Sequence, residues 1–307
     1  ASAVSAQVQF WQNEWPDTDF SRTGVDYSEI MSGGPPKDGI PALDLAEFMP
    51  VSESEIPLRE PVIAIEIEGE VPRAYPLRYL TWHEIINDTI GDMPIAVTFC
   101  PLCNSGIVFD RRLNGQTLNF GVSGKLRYSN MIMFDRETES WWQQYDGVAI
   151  VGELWGQELT SVVSWTESME EFASRNPEGL LMAEPTGFRR AYGSNPYAGY
   201  DGSAQPFLYS GEEPPFGIEP LSRVIKVGDR AWPLSRLTET EIIEEAGIQL
   251  VWSEGMASAL DTREIAKGKE VGNIRVYDAA GDPLEYDVVF AFAFHAFAPD
   301  GEWMLGE

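Results

Sequence analysis

Histidine, cysteine and basic side chains are scarce in this chain of 307 residues. It has two histidines and two cysteines, and 49 acidic residues against 21 basic ones give a formal net charge of -28 at pH 7. Because nucleic acids and anionic lipid surfaces are bound by clustered lysine and arginine, we predict no nucleic-acid partner and no anionic membrane partner. The acidic excess instead predicts a solvated acidic surface.

The chain also lacks a long apolar run. The longest candidate, 288–298, contains His295 and ends before Pro299. It is well short of the roughly 18 apolar residues of a membrane helix, so we predict no membrane span. Its alternating aromatic residues predict a buried strand, in which His295 has a structural role.

Small residues open the chain in arrangements of the A-x-A type, Ala1-Ser2-Ala3 and Val4-Ser5-Ala6. This pattern resembles the stub left by signal-peptidase cleavage, so we expect a periplasmic or secreted protein. Two cysteines neither require nor exclude an oxidising compartment.

A degenerate repeat runs through the chain. The stretch RAYPLRYL at 73–80 recurs as RAWPLSRL at 230–237, and the strands predicted before and after it also match. Each copy predicts a strand, a proline-containing turn, a short helix and further strands. The sequence therefore predicts an α+β, mostly β fold with two degenerate copies of a strand-helix-strand-strand unit.

These features divide the chain into four parts. They are an irregular N-terminal segment at 1–60, a first repeat at 61–185, a connector rich in aromatic residues, Gly and Pro at 186–220, and a second, degenerate repeat at 221–307. We expect the N-terminal segment to be irregular to about residue 41, and the connector to be ordered by its own side chains.

Local patterns in the first repeat predict its individual elements. Apolar spacing predicts a helix at 77–87 that Thr81 caps, and strands are predicted at 94–99 and 130–134. Asn114-Gly115 lies between two further strand patterns and predicts a tight hairpin.

A Cys-Pro-Leu-Cys turn, Cys100 to Cys103, carries the strongest chemical signal. Two thiols three residues apart can bind one metal ion or close on each other as a disulfide. A turn and a strand are predicted at 104–109, so the pair lacks the helix N-terminus that lowers the thiol pKa in thioredoxin-type sites. A small structural disulfide or two buried thiols are the alternatives without chemistry.

His83 lies on the predicted helix that precedes the cysteine strand, from which its imidazole can reach the sulfurs. In the second copy His83, Cys100 and Cys103 are all replaced, and the aligned residues are Thr240, Ser253 and Met256. A purely structural role does not predict this joint loss, whereas a site carried by one copy does.

Met131 and Met133 alternate on a predicted strand and therefore share a face. Thioethers beside thiolates favour Cu(I) over hard cations. We predict a copper site with His83, Cys100 and Cys103 as ligands and Met131 or Met133 as a weak ligand. Zinc is the alternative metal, and packing in the core is the alternative for both methionines.

Lys125, Arg127 and Arg136 form a local basic cluster in an acidic chain. With Ser123 and Asp135 they are candidates to hold a small anion or to support the metal site. Pairing of these cations with Asp135 and Glu137 is the alternative. The chain has no Gly-rich phosphate loop, no nucleophile elbow and no H-E-x-x-H motif.

From the residues alone, we predict an exported copper-binding protein that acts in electron transfer or copper handling, with a redox or copper-exchange protein as its partner. One alternative is a thiol-disulfide oxidoreductase that uses Cys100 and Cys103. Another is a non-catalytic module that binds a glycan or a protein through its aromatic loops. The residues do not decide whether the protein is an enzyme.

Several motifs together resemble those of the Domain of Unknown Function 3179 family. They are GGPPKDGIP at 33–41, RAYP at 73–76, WHEIIND at 82–88, TFCPLC at 98–103, FGVSG at 120–124, the stretch from DR to WWQQ at 135–144, and RAYGSNPY at 190–197. The resemblance covers nearly the whole chain. It implies that the His and Cys motifs are the family's hallmark and that members are typically exported. The usual glycine after the second cysteine is Asn104 here.

Overall fold

A computed structural model of the chain describes residues 3–306. Strands dominate it, and five α-helices accompany them in this range, so the predicted α+β, mostly β class is confirmed. Two residues of the predicted cleavage motif, Ala1 and Ser2, lie outside the described residues. None of the described helices is long and apolar enough to cross a membrane.

The elements of the first 185 residues are α1 (Ala3–Glu14), β1 (Ile30–Ser32), β2 (Leu43–Asp44), β3 (Phe48–Pro50), β4 (Pro61–Ile65), β5 (Arg73–Pro76), α2 (Leu77–His83), β6 (Ile85–Ile90), β7 (Met93–Cys100), β8 (Ser105–Asp110), β9 (Arg112–Leu113), β10 (Gln116–Thr117), β11 (Phe120–Arg127), β12 (Asn130–Asp135), β13 (Trp141–Gln143), β14 (Ala149–Val151), β15 (Ser161–Val162), β16 (Ser164–Ser168), α3 (Met169–Arg175) and β17 (Leu180–Met182).

The elements that follow are β18 (Arg223–Val227), β19 (Arg230–Pro233), α4 (Leu234–Thr240), β20 (Ile242–Glu245), β21 (Ile248–Ser253), β22 (Asn273–Asp278), β23 (Asp287–Phe290), α5 (Ala291–Phe297) and β24 (Glu302–Trp303). Short 3-10 turns occur at Tyr27–Glu29, Val51–Glu53, Tyr200–Gly202, Pro215–Gly217 and Ile265–Lys267.

Three five-stranded sheets build the first part of the molecule. Their strand orders are β1-β11-β12-β13-β14, β15-β8-β7-β6-β2 and β16-β4-β5-β17-β3. The later strands form a four-stranded sheet, β23-β18-β19-β24, and a three-stranded sheet, β20-β21-β22. The cysteine strand β7 is the middle strand of its sheet, so the turn that follows it is held on both sides by antiparallel partners.

The N-terminal segment is more regular than we predicted. It begins with α1, whose Trp11 packs on Trp141 with 5.2 Å between ring centroids, and the next tryptophan, Trp15, packs on Phe134 at 4.7 Å. Burial of these aromatic rings holds the helix on the sheet, because packing rather than propensity supplies most helix stability in proteins. Strands β1, β2 and β3 each extend a sheet of the following segment.

Helix α2 is shorter than the predicted 77–87. It starts after Pro76 rather than at a Thr81 cap and ends at His83, because Glu84 adopts a left-handed backbone with φ of 61° and donates its amide to Leu80 O at 2.8 Å. Beyond it, β-branched isoleucines begin the strand β6, where they are buried.

The prediction of one strand at 288–298 is wrong beyond Phe290. The chain forms β23 and then turns into the helix α5, on which Ala291, Phe292, Ala293 and Phe294 are all buried. Because its first turn is buried on every side, this helix shows no amphipathic pattern there, so its alternating Phe and Ala imitate the period of a strand. His295 is half-buried on this helix.

Other local predictions are confirmed. Asn114 and Gly115 both have a positive φ, at 50° and 81°, and form the tight turn between β9 and β10. Strands β7 and β12 cover the predicted 94–99 and 130–134.

Candidate functional site

The cysteine turn connects β7 to β8. Cys100 ends β7, the Cys103 amide donates to Cys100 O at 3.2 Å, and Asn104 adopts a left-handed backbone with φ of 53° before β8 begins. Asparagine tolerates this conformation better than most residues other than glycine. The predicted order of strand, turn and strand is confirmed, because the chain continues from the turn into β8 and not into a helix.

Both cysteines are buried and free, and their sulfurs converge on one oxygen. Cys100 Sγ lies 3.9 Å from Ser129 O, and Cys103 Sγ lies 3.6 Å from the same atom. The Met131 amide approaches Cys100 Sγ from β12 at 3.4 Å, which is a hydrogen bond to sulfur. The two thiols therefore face one small volume between the cysteine turn and the start of β12.

Burial raises the pKa of the Cys103 thiol well above its ordinary value, and the neighbouring Cys100 thiol adds to this effect. The side chain of Asn130 opposes the shift only in part. Because the thiolate is the nucleophile in disulfide exchange, a thiol that stays protonated is poorly reactive.

The turn is also held by the C-terminal part of the chain. The Phe290 amide at the end of β23 donates to Cys103 O at 2.9 Å, and Asn104 Nδ2 donates to Val288 O at 2.8 Å. The geometry of the two thiols therefore depends on a strand that is distant in sequence.

His83 is buried at the end of α2 with both ring nitrogens engaged. Nδ1 lies 2.7 Å from Pro41 O, and Nε2 lies 2.7 Å from Tyr192 Oη. Because a carbonyl only accepts, Nδ1 carries the proton and donates, and Nε2 accepts from the tyrosine hydroxyl. Burial lowers the pKa of His83, which favours this neutral tautomer.

The predicted ligands do not form one cluster in the structure. In the chain from residue 3 to 306, no three side chains of His, Cys, Asp or Glu form a group that could hold a metal ion. Met131 is next to Cys100 through its amide, whereas Met133 pairs with Val122 and Trp142 farther along β12 and is fully buried in the core. Only the cysteines and Met131 are therefore neighbours.

Each of the candidate anion-binding side chains already has a partner of its own. The cations pair with acids of the N-terminal segment rather than with Asp135 and Glu137, and the pairs are Lys125–Glu14 (2.8 Å), Arg127–Glu29 (2.7 Å) and Arg136–Asp38 (2.8 Å). Asp135 accepts from Trp142 Nε1 at 2.8 Å, and Ser123 donates to Ile132 O at 2.5 Å. Adjacency in sequence could not reveal these distant partners.

A cavity of about 440 Å³ lies beside the cysteine turn, and sequence reasoning missed it. Leu102 and Met131 line it from the cysteine side, Tyr197 and Tyr200 line it from the connector, and Glu84 contributes a carboxyl group. The feature of the sequence that could have indicated the cavity is Glu84, an acidic residue directly before the buried pair Ile85-Ile86.

Glu84 is 7% exposed, and Tyr197 donates its hydroxyl to Glu84 Oε1 at 3.0 Å. Burial raises the pKa of Glu84 to about 7, which the tyrosine hydrogen bond only partly offsets. The Tyr200 hydroxyl donates to Leu102 O at 2.9 Å. Three tyrosines of the connector therefore cover the site, and they contact His83, Glu84 and the cysteine turn, respectively. The connector packs on these residues as well as on its own side chains.

Comparison with protein-family models gives a match over most of the chain. The family model described as "Protein of unknown function (DUF3179)" matches residues 37–301, a range that includes α2, the cysteine turn, the connector and α5. No curated protein and no solved structure matches the chain. The motifs and this match agree, and the chain belongs to the DUF3179 family.

Proposed function

We propose that the protein binds one Cu(I) ion between Cys100 and Cys103. The observation that carries this proposal is that both sulfurs lie within 4 Å of Ser129 O, at 3.9 and 3.6 Å, in a buried volume. Thiolates are soft ligands that suit Cu(I), and Cu(I) is stable with only two or three donors.

Met131 is the candidate for a third donor, since its amide already contacts Cys100 and thioethers are soft ligands. His83 stays outside this ligand set, because ligation through Nε2 would break its hydrogen bond with Tyr192. Structural zinc requires four ligands, and the described chain offers no further His, Cys, Asp or Glu near the thiols. Donor number therefore favours copper over zinc.

Burial bears on the role of the ion. Cys100 is 1% exposed and Cys103 is fully buried, so a partner protein cannot reach the sulfurs directly. A retained ion that transfers electrons fits this arrangement better than rapid exchange of copper between proteins. An exported location stays a prediction.

We infer in addition that segments 61–185 and 221–307 are two versions of one unit, of which only the first kept the chemistry. Helices α2 and α4 both end before a left-handed glutamate, Glu84 with φ of 61° and Glu241 with φ of 60°. The Phe99 amide donates to Glu84 O and the Trp252 amide to Glu241 O, each at 2.8 Å. These features support the alignment of Cys100 with Ser253.

Metal content tests the copper proposal. The protein is purified without oxygen, exposed to equimolar Cu(I) and zinc, dialysed and analysed for both metals. We expect near-stoichiometric copper in the wild type and in His83→Gln, and none in the Cys100→Ser/Cys103→Ser double variant. The control Ser253→Ala/Met256→Leu changes the aligned positions of the second unit and should retain copper.

Copper in the double cysteine variant, or absence of bound metal from every protein, would refute the proposal. In the second case the oxidoreductase alternative becomes the better one, and the reduction potential of the Cys100–Cys103 pair decides it. Retention of zinc rather than copper by the wild type would point to a ligand set that includes residues beyond the two thiols and Met131.

A further inference from the structure

Buried carboxylates in this protein generally face an arginine. The pairs are Glu60–Arg78 (3.0 Å), Asp88–Arg73 (3.1 Å), Glu167–Arg175 (2.7 Å) and Asp201–Arg223 (2.6 Å). Asp135 has no cation but accepts hydrogen bonds from the Thr138 amide at 2.6 Å and from Trp142 at 2.8 Å. These contacts offset part of the loss of hydration that a buried carboxylate suffers, although burial still raises the pKa of Glu60 to about 7 and raises the pKa of Asp135 above its ordinary value.

Glu84 is the exception. Within the described residues 3–306 it forms no ion pair, and Tyr197 is its one hydrogen-bond donor, at Oε1. Its second oxygen, Oε2, accepts no hydrogen bond there and is not one of the fully enclosed polar atoms, so it opens onto the cavity of about 440 Å³ that the residue lines. Because Glu84 is only 7% exposed and retains little hydration, a positive group that entered the cavity would gain an ion pair at little further desolvation cost to Glu84.

The rest of the cavity wall suits a cation with an apolar body. Tyr197, Tyr200 and Phe207 contribute aromatic rings, and Leu102 and Val122 contribute aliphatic surface. The hydroxyl of Tyr197 is used on Glu84 and that of Tyr200 on Leu102 O. The rings therefore offer apolar surface and π faces, which attract ammonium groups.

One other charged side chain lines the cavity, and its charge is already balanced. Lys125 Nζ pairs with Glu14 at 2.8 Å. The Lys125–Glu14 pair contributes no net charge, so the carboxylate of Glu84 determines the sign of the ligand. The formal net charge of -28 for the whole chain also favours the approach of cations over that of anions.

We propose that this cavity binds a small organic cation, a primary amine or quaternary ammonium on an apolar body, with Glu84 as its counter-ion. A volume of about 440 Å³ is in the range of small-molecule sites, which runs from about 300 to 1,000 Å³. Met131 lines the cavity but the thiols of Cys100 and Cys103 do not, so the ion pair with Glu84 does not require copper on the thiols.

Matched pairs of charged and neutral probes test the ammonium site. Benzylamine, cyclohexylamine and benzyltrimethylammonium are titrated into the full chain by calorimetry, beside the neutral benzyl alcohol and cyclohexanol. We expect at least one cation to bind ten-fold or more tightly than its neutral counterpart. Glu84→Gln should abolish that preference, and Glu241→Gln, at the exposed aligned position, should keep it.

Tyr197→Phe provides a second variant in case Glu84→Gln does not fold. It keeps the ring and removes the one hydrogen bond to the carboxylate, so it should change cation affinity without changing affinity for the alcohols. Equal binding of amines and alcohols, or an unchanged preference in both site variants, would overturn the proposal, as would no binding of any cation at 10 mM. The Cys100→Ser/Cys103→Ser variant should bind the cations like the wild type, which separates this result from the copper test.

Discussion

Glu84 combines a left-handed backbone with a buried carboxyl group, and Glu241 shows that the two properties have different causes. Both residues end a seven-residue helix with nearly the same φ, 61° and 60°, yet Glu241 is exposed. The backbone conformation therefore belongs to the turn that ends each helix. The burial of Glu84 comes from the connector, whose Tyr197 lies against the carboxyl group.

This difference predicts how stability depends on pH. The pKa of Glu84 is raised to about 7 in the folded protein, against about 4.3 in an unfolded chain. Between these values the folded state binds more protons, so the contribution of Glu84 to the free energy of unfolding falls as the pH rises. Relative to the wild type, Glu84→Gln should therefore become more stable from about pH 4.5 to pH 7, by up to about 3 kcal/mol.

Urea unfolding at pH 4.5, 6 and 8 measures the effect. Glu241→Gln is the matched control, because its carboxylate is exposed, and it should follow the wild type at every pH. A constant difference between Glu84→Gln and the wild type across this range would contradict the prediction.

Among the elements, the connector has no strand in the described structure, yet it determines the surroundings of the site. Its tyrosines contact the last residue of α2, the residue after α2, and the cysteine turn. Each of these hydroxyl groups donates to one acceptor, namely His83 Nε2, Glu84 Oε1 or Leu102 O. The connector therefore provides neutral donors for the polar groups beneath it, and Glu84 Oε2 is left without one in the described structure.

Removal of one of these hydroxyls tests that role. Tyr192→Phe leaves the unprotonated Nε2 of His83 buried without its donor, which should lower the free energy of unfolding by about 1–3 kcal/mol. Tyr209→Phe is the control, because Tyr209 donates to Glu212 O at an exposed position, and it should cost less than about 1 kcal/mol. Urea unfolding measures both variants. Equal losses in the free energy of unfolding would contradict the prediction that the hydrogen bond between Tyr192 and His83 stabilises the fold.

Elements were predictable from sequence where local chemistry decides the conformation. Asn114-Gly115 requires the left-handed angles of a tight hairpin, and the cysteine turn follows a buried strand, so both predictions are confirmed. The end of α2 was missed because Glu84 is not a usual residue for a helix end, and α5 was missed because its buried first turn has no polar face. The cavity was missed because its walls come from segments far apart in the chain.

At the scale of the whole molecule, the N-terminal segment neutralises cations on β11, in the sheet β1-β11-β12-β13-β14. Lys125 is 4% exposed in its side chain and pairs with Glu14 at the end of α1. Local reading of the sequence instead assigned the acids Asp135 and Glu137 to this cluster. Long-range charge pairs of this kind connect the first helix to the sheet and to the wall of the cavity.

Loss of the Glu14 charge should therefore lower the free energy of unfolding. Glu14→Gln leaves the ammonium of Lys125, whose side chain is 4% exposed, without its counter-ion. Because the side chain of Glu14 is itself 22% exposed, we expect a cost of about 2–3 kcal/mol, below the roughly 3–5 kcal/mol of a fully buried pair. Glu264→Gln breaks the exposed pair with Lys267 and should cost no more than about 1 kcal/mol. Urea unfolding of both variants measures the difference, and equal costs would contradict the assignment of a buried pair at Lys125.

The hydrogen bond from Phe290 to Cys103 O also has a consequence for biosynthesis. A ribosome makes the cysteine turn well before the strand that holds it. Until β23 has been made, the turn lacks the hydrogen bonds that Phe290 and Val288 provide. The cysteine turn therefore reaches its final geometry only after β23 has docked on it.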